Sequence, residues 1–268
     1  MAASALMNVM IGAVRKAARG VQRDYGELSS LQVSTKGPGD FVTAADKRCE
    51  KVLSGELAKA RPGYGFLMEE SGAVKGTDPD HRWIIDPIDG TSNFMHAVPF
   101  FAISVALERA GEIVAGITYN PVSDELFAAE KGQGAFLNNR RLRVAVRTDI
   151  HDALLSCPLP HRGRGEHALN RAEIASMQGK VIGLRHLGSA TLEMAYVAAG
   201  RLDGMWQRDL AAWDLAAGII LLREAGGFVA DCDSDRNPLD TGNIIAANAD
   251  LLPQIKRELA AARKTLAA

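Results

Sequence analysis

Residues 83–94, Trp-Ile-Ile-Asp-Pro-Ile-Asp-Gly-Thr-Ser-Asn-Phe, constrain the fold more than any other stretch of this chain. Trp83, Ile84 and Ile85 read as the end of a buried strand, because three apolar residues in succession leave no solvated face. That strand delivers Asp86 to an edge, Pro87 stops the ladder from continuing, and Asp89 follows three residues after Asp86. Gly90 and Thr91 then open a helix. Two carboxylates are thereby held beside free backbone N–H groups. Carboxylates suit Mg²⁺, and a helix N-terminus suits phosphate. An Asp after a strand and an Asp in a turn are each common, since Asp favours turns and N-caps. A plain turn, however, needs neither the Pro between the acids, nor the Gly-Thr after them, nor the apolar strand before them. Together these point to a metal-dependent phosphate site.

With 268 residues, 47% of them hydrophobic, the chain can bury its own core as one large domain or two closely joined halves. A formal net charge of −1 gives no global electrostatic case for nucleic acid or an anionic membrane. Cys49, Cys157 and Cys232 show no paired spacing, which favours a reducing compartment over a disulfide scaffold or a zinc site. Near the start, Leu6, Val9, Met10, Ala13, Val14 and Ala17 recur at helical spacing. Asn8 interrupts them, and Arg15 and Lys16 follow rather than precede them, which argues against a signal peptide. No window approaches eighteen uninterrupted apolar residues, so the expectation is a cytoplasmic protein without a membrane span.

A first helix over residues 1–18 leads to a mobile loop over residues 34–40, set by two glycines and a proline, with Lys36 near its tip. A second helix is expected over residues 45–60 and a short strand over 65–68. From residue 100 to 144 the pattern is an antiparallel meander: Ile103, Val105 and Leu107 alternate with small residues. Ala110-Gly111, residues 121–124 and Asn138-Asn139 mark its turns. Gly132-Gln-Gly134 reads as a hairpin rather than a nucleotide loop, since no helix follows. Residues 158–171 read as a basic loop carrying His161, Arg162, Arg164, His167 and Arg171, best explained as a solvated face. Helices are expected over 189–199, 213–225 and 250–266. The change of character near residue 145 divides the chain into an N-terminal α+β half (1–145), with a large antiparallel sheet and the acid motif, and a C-terminal α/β half (146–268). The two are expected to pack as one unit.

Further acids join Asp86 and Asp89. Glu69 and Glu70 end a strand before Gly72. Asp214 opens the helical run of Leu215, Ile219, Ile220 and Leu222, where an acid complements the macrodipole. Asp46 begins another helix. Singly each is an ordinary loop or helix-start acid. Jointly, strand ends carrying Glu69 and Asp86 can lie side by side, with Asp89 and Asp214 at helix starts. Anionic groups gathered without a cation repel one another and raise their pKa values. Two or three Mg²⁺ would remove that conflict and leave a pocket for a phosphate dianion.

Over most of its length, from about residue 40 to 227, the sequence resembles the inositol monophosphatase family of lithium-sensitive, Mg²⁺-dependent phosphatases. The resemblance rests on Asp40-Phe-Val-Thr-Ala-Ala-Asp46, Glu69-Glu70-Ser71 and residues 83–94. Further on it rests on Gly132-Gln-Gly-Ala-Phe136, Gly188-Ser-Ala190 and Trp213-Asp-Leu-Ala-Ala-Gly218. It implies an α+β fold, a layered α-β-α-β-α sandwich, and commonly a homodimer. It also implies that Glu69, Asp86, Asp89, Asp214 and the backbone carbonyl of Ile88 hold Mg²⁺. Glu69 and Asp86 would serve the ion that activates water, and Asp86, Asp89 and Asp214 the ion at the leaving alkoxide, with a third, weaker ion near Glu69. Thr91, with Asp46 behind it, would orient the attacking water, and the N–H groups of Gly90 and Thr91 would bind phosphate.

The implied substrate is an inositol monophosphate or a similar small polyol phosphate, met by Asp89, Gly90, Thr91, Gly188, Ser189, Ala190, Gln207 and Asp214. Many inositol phosphatases carry Glu six residues before the Trp of the last block; here Gln207 stands there, with Asp209 nearby. Gln hydrogen-bonds hydroxyls but brings no charge and also donates. Related folds hydrolyse fructose bisphosphate, histidinol phosphate or adenosine bisphosphate, and some bacterial relatives also act as regulatory partners of the transcription machinery that bind RNA polymerase. Both alternatives stand beside the leading expectation.

Overall fold

The structure is a computed structural model that describes residues 4–28, 33–37, 40–159 and 166–267. Helix α1 (Ala5–Gly26) is capped by Ser4, whose hydroxyl accepts from the Met7 N–H at 3.0 Å. It runs eight residues beyond the expected end, because Val21 and Asp24 continue its buried stripe. Strands β1 (Val33–Gly37) and β2 (Asp40–Thr43) pair antiparallel, with Val33 opposite Thr43 and Thr35 opposite Phe41. Residues 34–37 and 40 of the stretch read as a loop thus lie in paired strands, while residues 38 and 39 fall outside the described residues; β-branched and aromatic residues outweigh the glycines as a signal. Thr43 caps α2 (Ala44–Ala60).

The larger sheet contains β3 (Gly65–Met68), β4 (Gly72–Val74), β5 (His81–Asp89), β6 (Ala102–Arg109), β7 (Glu112–Asn120), β8 (Glu125–Glu130), β9 (Gly134–Leu137) and β10 (Arg140–Arg141), with α3 (Thr91–Met95) between β5 and β6. Its order is β10-β9-β8-β7-β6-β5-β3-β4. Its neighbours pair antiparallel except β3 and β5, which run parallel. Positive φ at Ala110 and Gly111, and at Asn138 and Asn139, forms the two tight turns expected from the sequence. After a run without helix or strand over 142–149, the second half alternates strand and helix: β11 (Leu154–Ser156), α4 (His167–Gln178), β12 (Gly183–Arg185), α5 (Ala190–Ala198), β13 (Gly204–Gln207), α6 (Ala212–Glu224), β14 (Phe228–Ala230), α7 (Pro238–Thr241), β15 (Ile244–Ala247) and α8 (Leu251–Ala267). These strands form a second sheet in the order β12-β11-β13-β15-β14.

Three apolar clusters stack these elements into five layers. Helices α1 and α2 cover one face of the large sheet, burying Met10, Val14, Leu53 and Leu57 against Trp83, Ile85, Ile103, Val105 and Ile117. Helices α5 and α6 fill the space between the sheets, where Leu192, Leu215 and Ile219 meet Ile84, Ala106 and Phe127 on one side and Met205 and Ile244 on the other. Helices α4 and α8 close the far face, with Met177, Leu251 and Ile255 against Leu155, Trp206 and Ile245. The result is the expected α-β-α-β-α sandwich. Burial on both faces explains why the central strands read as nearly continuous apolar runs. It also explains the small residues alternating with Ile103, Val105 and Leu107. They face α6, which lies so close that a Cβ on Gly116 would be 2.6 Å from Ile220 Cγ2 and 2.9 Å from Ala217 Cα.

Two expectations are corrected here. Arg171 and His167 lie on α4, not in a basic loop, while His161, Arg162 and Arg164 fall outside the described residues. Leu169, Asn170, Glu173 and Met177 form the buried stripe of α4, and the polar members of that stripe hide its helical period. Pro87 interrupts the ladder rather than ending it: Asp86 pairs with Ser104 and Asp89 with Ala102, with a register shift between them. Three steps on β5 against two on β6 make a one-residue bulge. Residues three apart on a regular strand point to opposite faces. The bulge is what lets Asp86 and Asp89 share a side.

Candidate active site

The parallel pairing of β3 with β5 sets Met68 opposite Ile85, so the next residues, Glu69 just past β3 and Asp86 still within β5, lie side by side. The Glu69 N–H donates to the Ile85 carbonyl at 3.2 Å. Asp86 is 2% exposed, and its Oδ1 accepts the Ile88 N–H at 3.0 Å. Asp89 Oδ2 takes three donors from the start of α5: the hydroxyls of Ser189 (2.6 Å) and Thr191 (2.7 Å) and the Thr191 N–H (2.7 Å). Asp214, third in α6, accepts the Ala211 N–H at 2.8 Å and caps its own helix. One carboxylate oxygen from each of Asp86, Asp89 and Asp214 lies within 4.8 Å of the others.

This gathering is costly to charge. Burial pushes Asp86 well above the usual carboxylate range, and Glu69, Asp89 and Asp214 push it further. Burial also raises Asp89, against the hydrogen bonds from Ser189 and Thr191. An array of hard oxygen donors with its charge unrelieved fits a divalent cation of the Mg²⁺ type. The nearby thiol is not a ligand candidate: Cys49 is buried, and its Sγ–H donates to the Pro87 carbonyl at 3.3 Å.

The turn after Asp89 is shaped by close backbone approach. Gly90 (φ +94°) precedes α3, and a Cβ there would lie 3.0 Å from the Gly188 carbonyl oxygen and 3.2 Å from that of Phe100. Asn93 Nδ2 donates to the carbonyls of Phe100 and Leu187, each at 2.7 Å, and so pins residues 187–188 over this turn. Ser189 and Ala190 follow, with the Ser189 hydroxyl committed to Asp89. Gln207 ends β13 and donates from Nε2 to Glu193 at 2.8 Å. The Asp209 N–H bonds Asn243 Oδ1 at 3.2 Å.

Thr91 and Asp46 are not joined by a hydrogen bond. The Thr91 hydroxyl donates to the Ile88 carbonyl at 3.1 Å. Asp46 accepts the Thr43 N–H at 2.8 Å and the Thr43 hydroxyl, while its Oδ1 is buried without a partner. Burial lifts its pKa to about 6.

Sequence reasoning missed Thr191, Asn93, Glu193 and Glu50. Glu50 is buried on α2, where it accepts the Glu70 N–H (2.9 Å) and the Ser71 hydroxyl, ordering the turn that follows Glu69. The available signal was spacing: Asp46 and Glu50 are four apart, and two acids on the inward face of a helix imply partners waiting there.

The sequence model of the inositol monophosphatase family matches residues 3–267. The chain belongs to the inositol monophosphatase family. An inositol-1-monophosphatase of Mesorhizobium japonicum is 55% identical over 265 residues, which cover 97% of this chain and 100% of that protein. A crystal structure of the extragenic suppressor protein suhB from Bartonella henselae matches with a TM-score of 0.93 at 50% identity, over 96% of this chain and 98% of that one. The Escherichia coli protein named Nus factor SuhB is 39% identical over 91% of both chains. Family membership over the whole sandwich makes the chain a phosphatase, a phosphoric monoester hydrolase. None of its described helices is long and apolar enough to cross a membrane.

Proposed function

We propose that this phosphatase hydrolyses inositol monophosphate or a similar small polyol phosphate with Mg²⁺ held by Glu69, Asp86, Asp89, Asp214 and the Ile88 carbonyl. The convergence of Asp86, Asp89 and Asp214 oxygens within 4.8 Å, with Glu69 pressing on Asp86, is the observation that carries this reading. When bound, the cations supply the acidity that readies water and the positive charge that favours departure of the alkoxide. The chain's own groups position the reactants. Asp86 stands between Glu69 and the Asp89–Asp214 pair, the place for a shared ligand. Ser189 and Thr191 tie down Asp89 Oδ2 and so orient the carboxylate that would hold the cation. The N–H groups of Gly90 and Thr91 would bind the phosphate, and the Thr91 hydroxyl, which donates to the Ile88 carbonyl, would orient the water. Asp46 Oδ1, buried and without a donor, is available to accept a hydrogen bond in this corner.

Release of phosphate from inositol 1-phosphate, set against fructose bisphosphate, histidinol phosphate and adenosine bisphosphate across a Mg²⁺ titration with and without Li⁺, tests the reading. It expects Mg²⁺ dependence, Li⁺ inhibition and preference for the polyol monoester; turnover without any divalent cation would sink it. Thr191→Val removes one donor to Asp89 and keeps the shape. Losing a hydrogen bond that orients a ligand should raise the Mg²⁺ concentration for half-maximal activity about ten-fold, with a parallel loss in a Mn²⁺ binding isotherm. The relative named Nus factor SuhB supports a second reading, a role beside the transcription machinery. Co-purification with RNA polymerase that survives Asp86→Asn would support that role as separate from catalysis.

A further inference from the structure

Glu193 is a buried carboxylate with no part in the proposed reaction, yet it joins the acid cluster to Gln207. It lies on α5, wholly shielded from solvent. Its Oε1 accepts the N–H groups of Leu187 (2.6 Å) and Gly188 (3.2 Å), and its Oε2 accepts Gln207 Nε2 at 2.8 Å. The segment held by Oε1 is the one whose Gly188 carbonyl backs Gly90 and whose Ser189 holds Asp89. Burial raises the Glu193 pKa, against the pull of the Leu187 N–H, the His186 ring, the Ser156 hydroxyl and the Gln207 amide.

Both Glu193 oxygens act as acceptors, so the Gln207 amide turns its NH₂ toward Glu193 and its oxygen away. Gln207 Oε1 has no partner among the described residues. It is also absent from the buried oxygens that lack one, so solvent reaches it. We infer that Glu193 is a positioning residue that locks the Gln207 amide so that Oε1 is presented as an acceptor to a substrate hydroxyl. This rests on the polyol-phosphate reading and deepens it. The substrate is a phosphate monoester with at least one further hydroxyl, met by an uncharged acceptor where a carboxylate would otherwise serve.

Substitutions at the two positions give a signed test. In Glu193→Gln the new carbonyl takes the two backbone N–H groups and the new NH₂ faces residue 207, so the Gln207 amide turns over and offers a donor. In Gln207→Glu two carboxylates meet across a 2.8 Å contact with no donor between them. The double variant restores one donor facing one acceptor and again leaves an oxygen toward substrate. The readout is kcat/KM for inositol 1-phosphate divided by kcat/KM for p-nitrophenyl phosphate, which carries no hydroxyl.

Each single variant should lower this ratio about five- to ten-fold, mainly through KM for the polyol, as expected for one mismatched hydrogen bond. The double variant should return to within about two-fold of the parent. Gln207→Met, which has no acceptor and fits the same space, should match the single variants and keeps the test decisive if Gln207→Glu does not fold. A flat ratio, or a double variant no better than the worse single, overturns the inference while the polyol reading stands. A parent enzyme inert toward polyol phosphates overturns both.

Discussion

Asp86→Asn is expected to lower kcat at least about 1000-fold while leaving the protein folded and, in the absence of divalent cations, more resistant to heat. The two effects have one cause. Asp86 sits where a carboxylate is hardest to keep charged, buried and pressed by Glu69, Asp89 and Asp214. An amide keeps the acceptor for the Ile88 N–H, and its new NH₂ can donate to the neighbouring carboxylates. The apo protein thereby loses a repulsion and keeps its hydrogen bonds. The same exchange removes a charged ligand where charge neutralisation does most of the work, and loss of such a group costs on the order of 10² to 10³ or more in rate. Thermal melts in EDTA and in Mg²⁺ should cross over. The parent gains strongly from Mg²⁺, while the variant gains little and melts higher in EDTA. A variant with parental activity, or one unfolded under both conditions, would remove Asp86 from the centre of the site.

The legible part of the sequence was the part where local pattern and final position agree. Glu69 and Asp86 were placed side by side from strand ends alone, and the parallel pairing of β3 with β5 puts them there. The tight turns at Ala110-Gly111 and Asn138-Asn139 were readable because positive φ demands particular residues. What stayed hidden depends on contacts between distant segments. Thr191 looks like any first-turn threonine until α5 is laid against β5, a hundred residues away in sequence. The bulge at Pro87 was read as a strand end, because sequence shows the lost donor but not that pairing resumes at Asp89. Helix α4 was concealed because its inward face carries Asn170 and Glu173. Glu173 is buried against Arg208 and Trp206, so a polar residue there is paired rather than solvated.

Stripped of divalent cations, the protein should lose stability as pH rises from 5 to 8. Most carboxylates give the opposite expectation. Asp46, Asp86, Asp89 and Glu193 all have pKa values raised in the folded state, chiefly by burial. A carboxylate whose folded pKa exceeds its unfolded value binds more protons when folded. Its contribution is therefore fully present below the unfolded pKa and is lost as pH climbs through the folded one. For Asp46, raised from 3.8 to about 6, the full contribution is about 3 kcal/mol, of which about 1.4 kcal/mol is lost between pH 5 and pH 8. The carboxylates with lowered values, such as Asp78 and Asp233, are ionised in both states above pH 5 and contribute no slope there. Mg²⁺ should flatten or reverse the trend, because it binds the deprotonated site and stabilises the fold by mass action. Melting temperatures at pH 5, 6, 7 and 8, in EDTA and in excess Mg²⁺, measure both slopes. Equal stability at pH 5 and pH 8 in EDTA would mean that the buried acids are satisfied without a cation, and the case for a metal centre would lose its electrostatic ground.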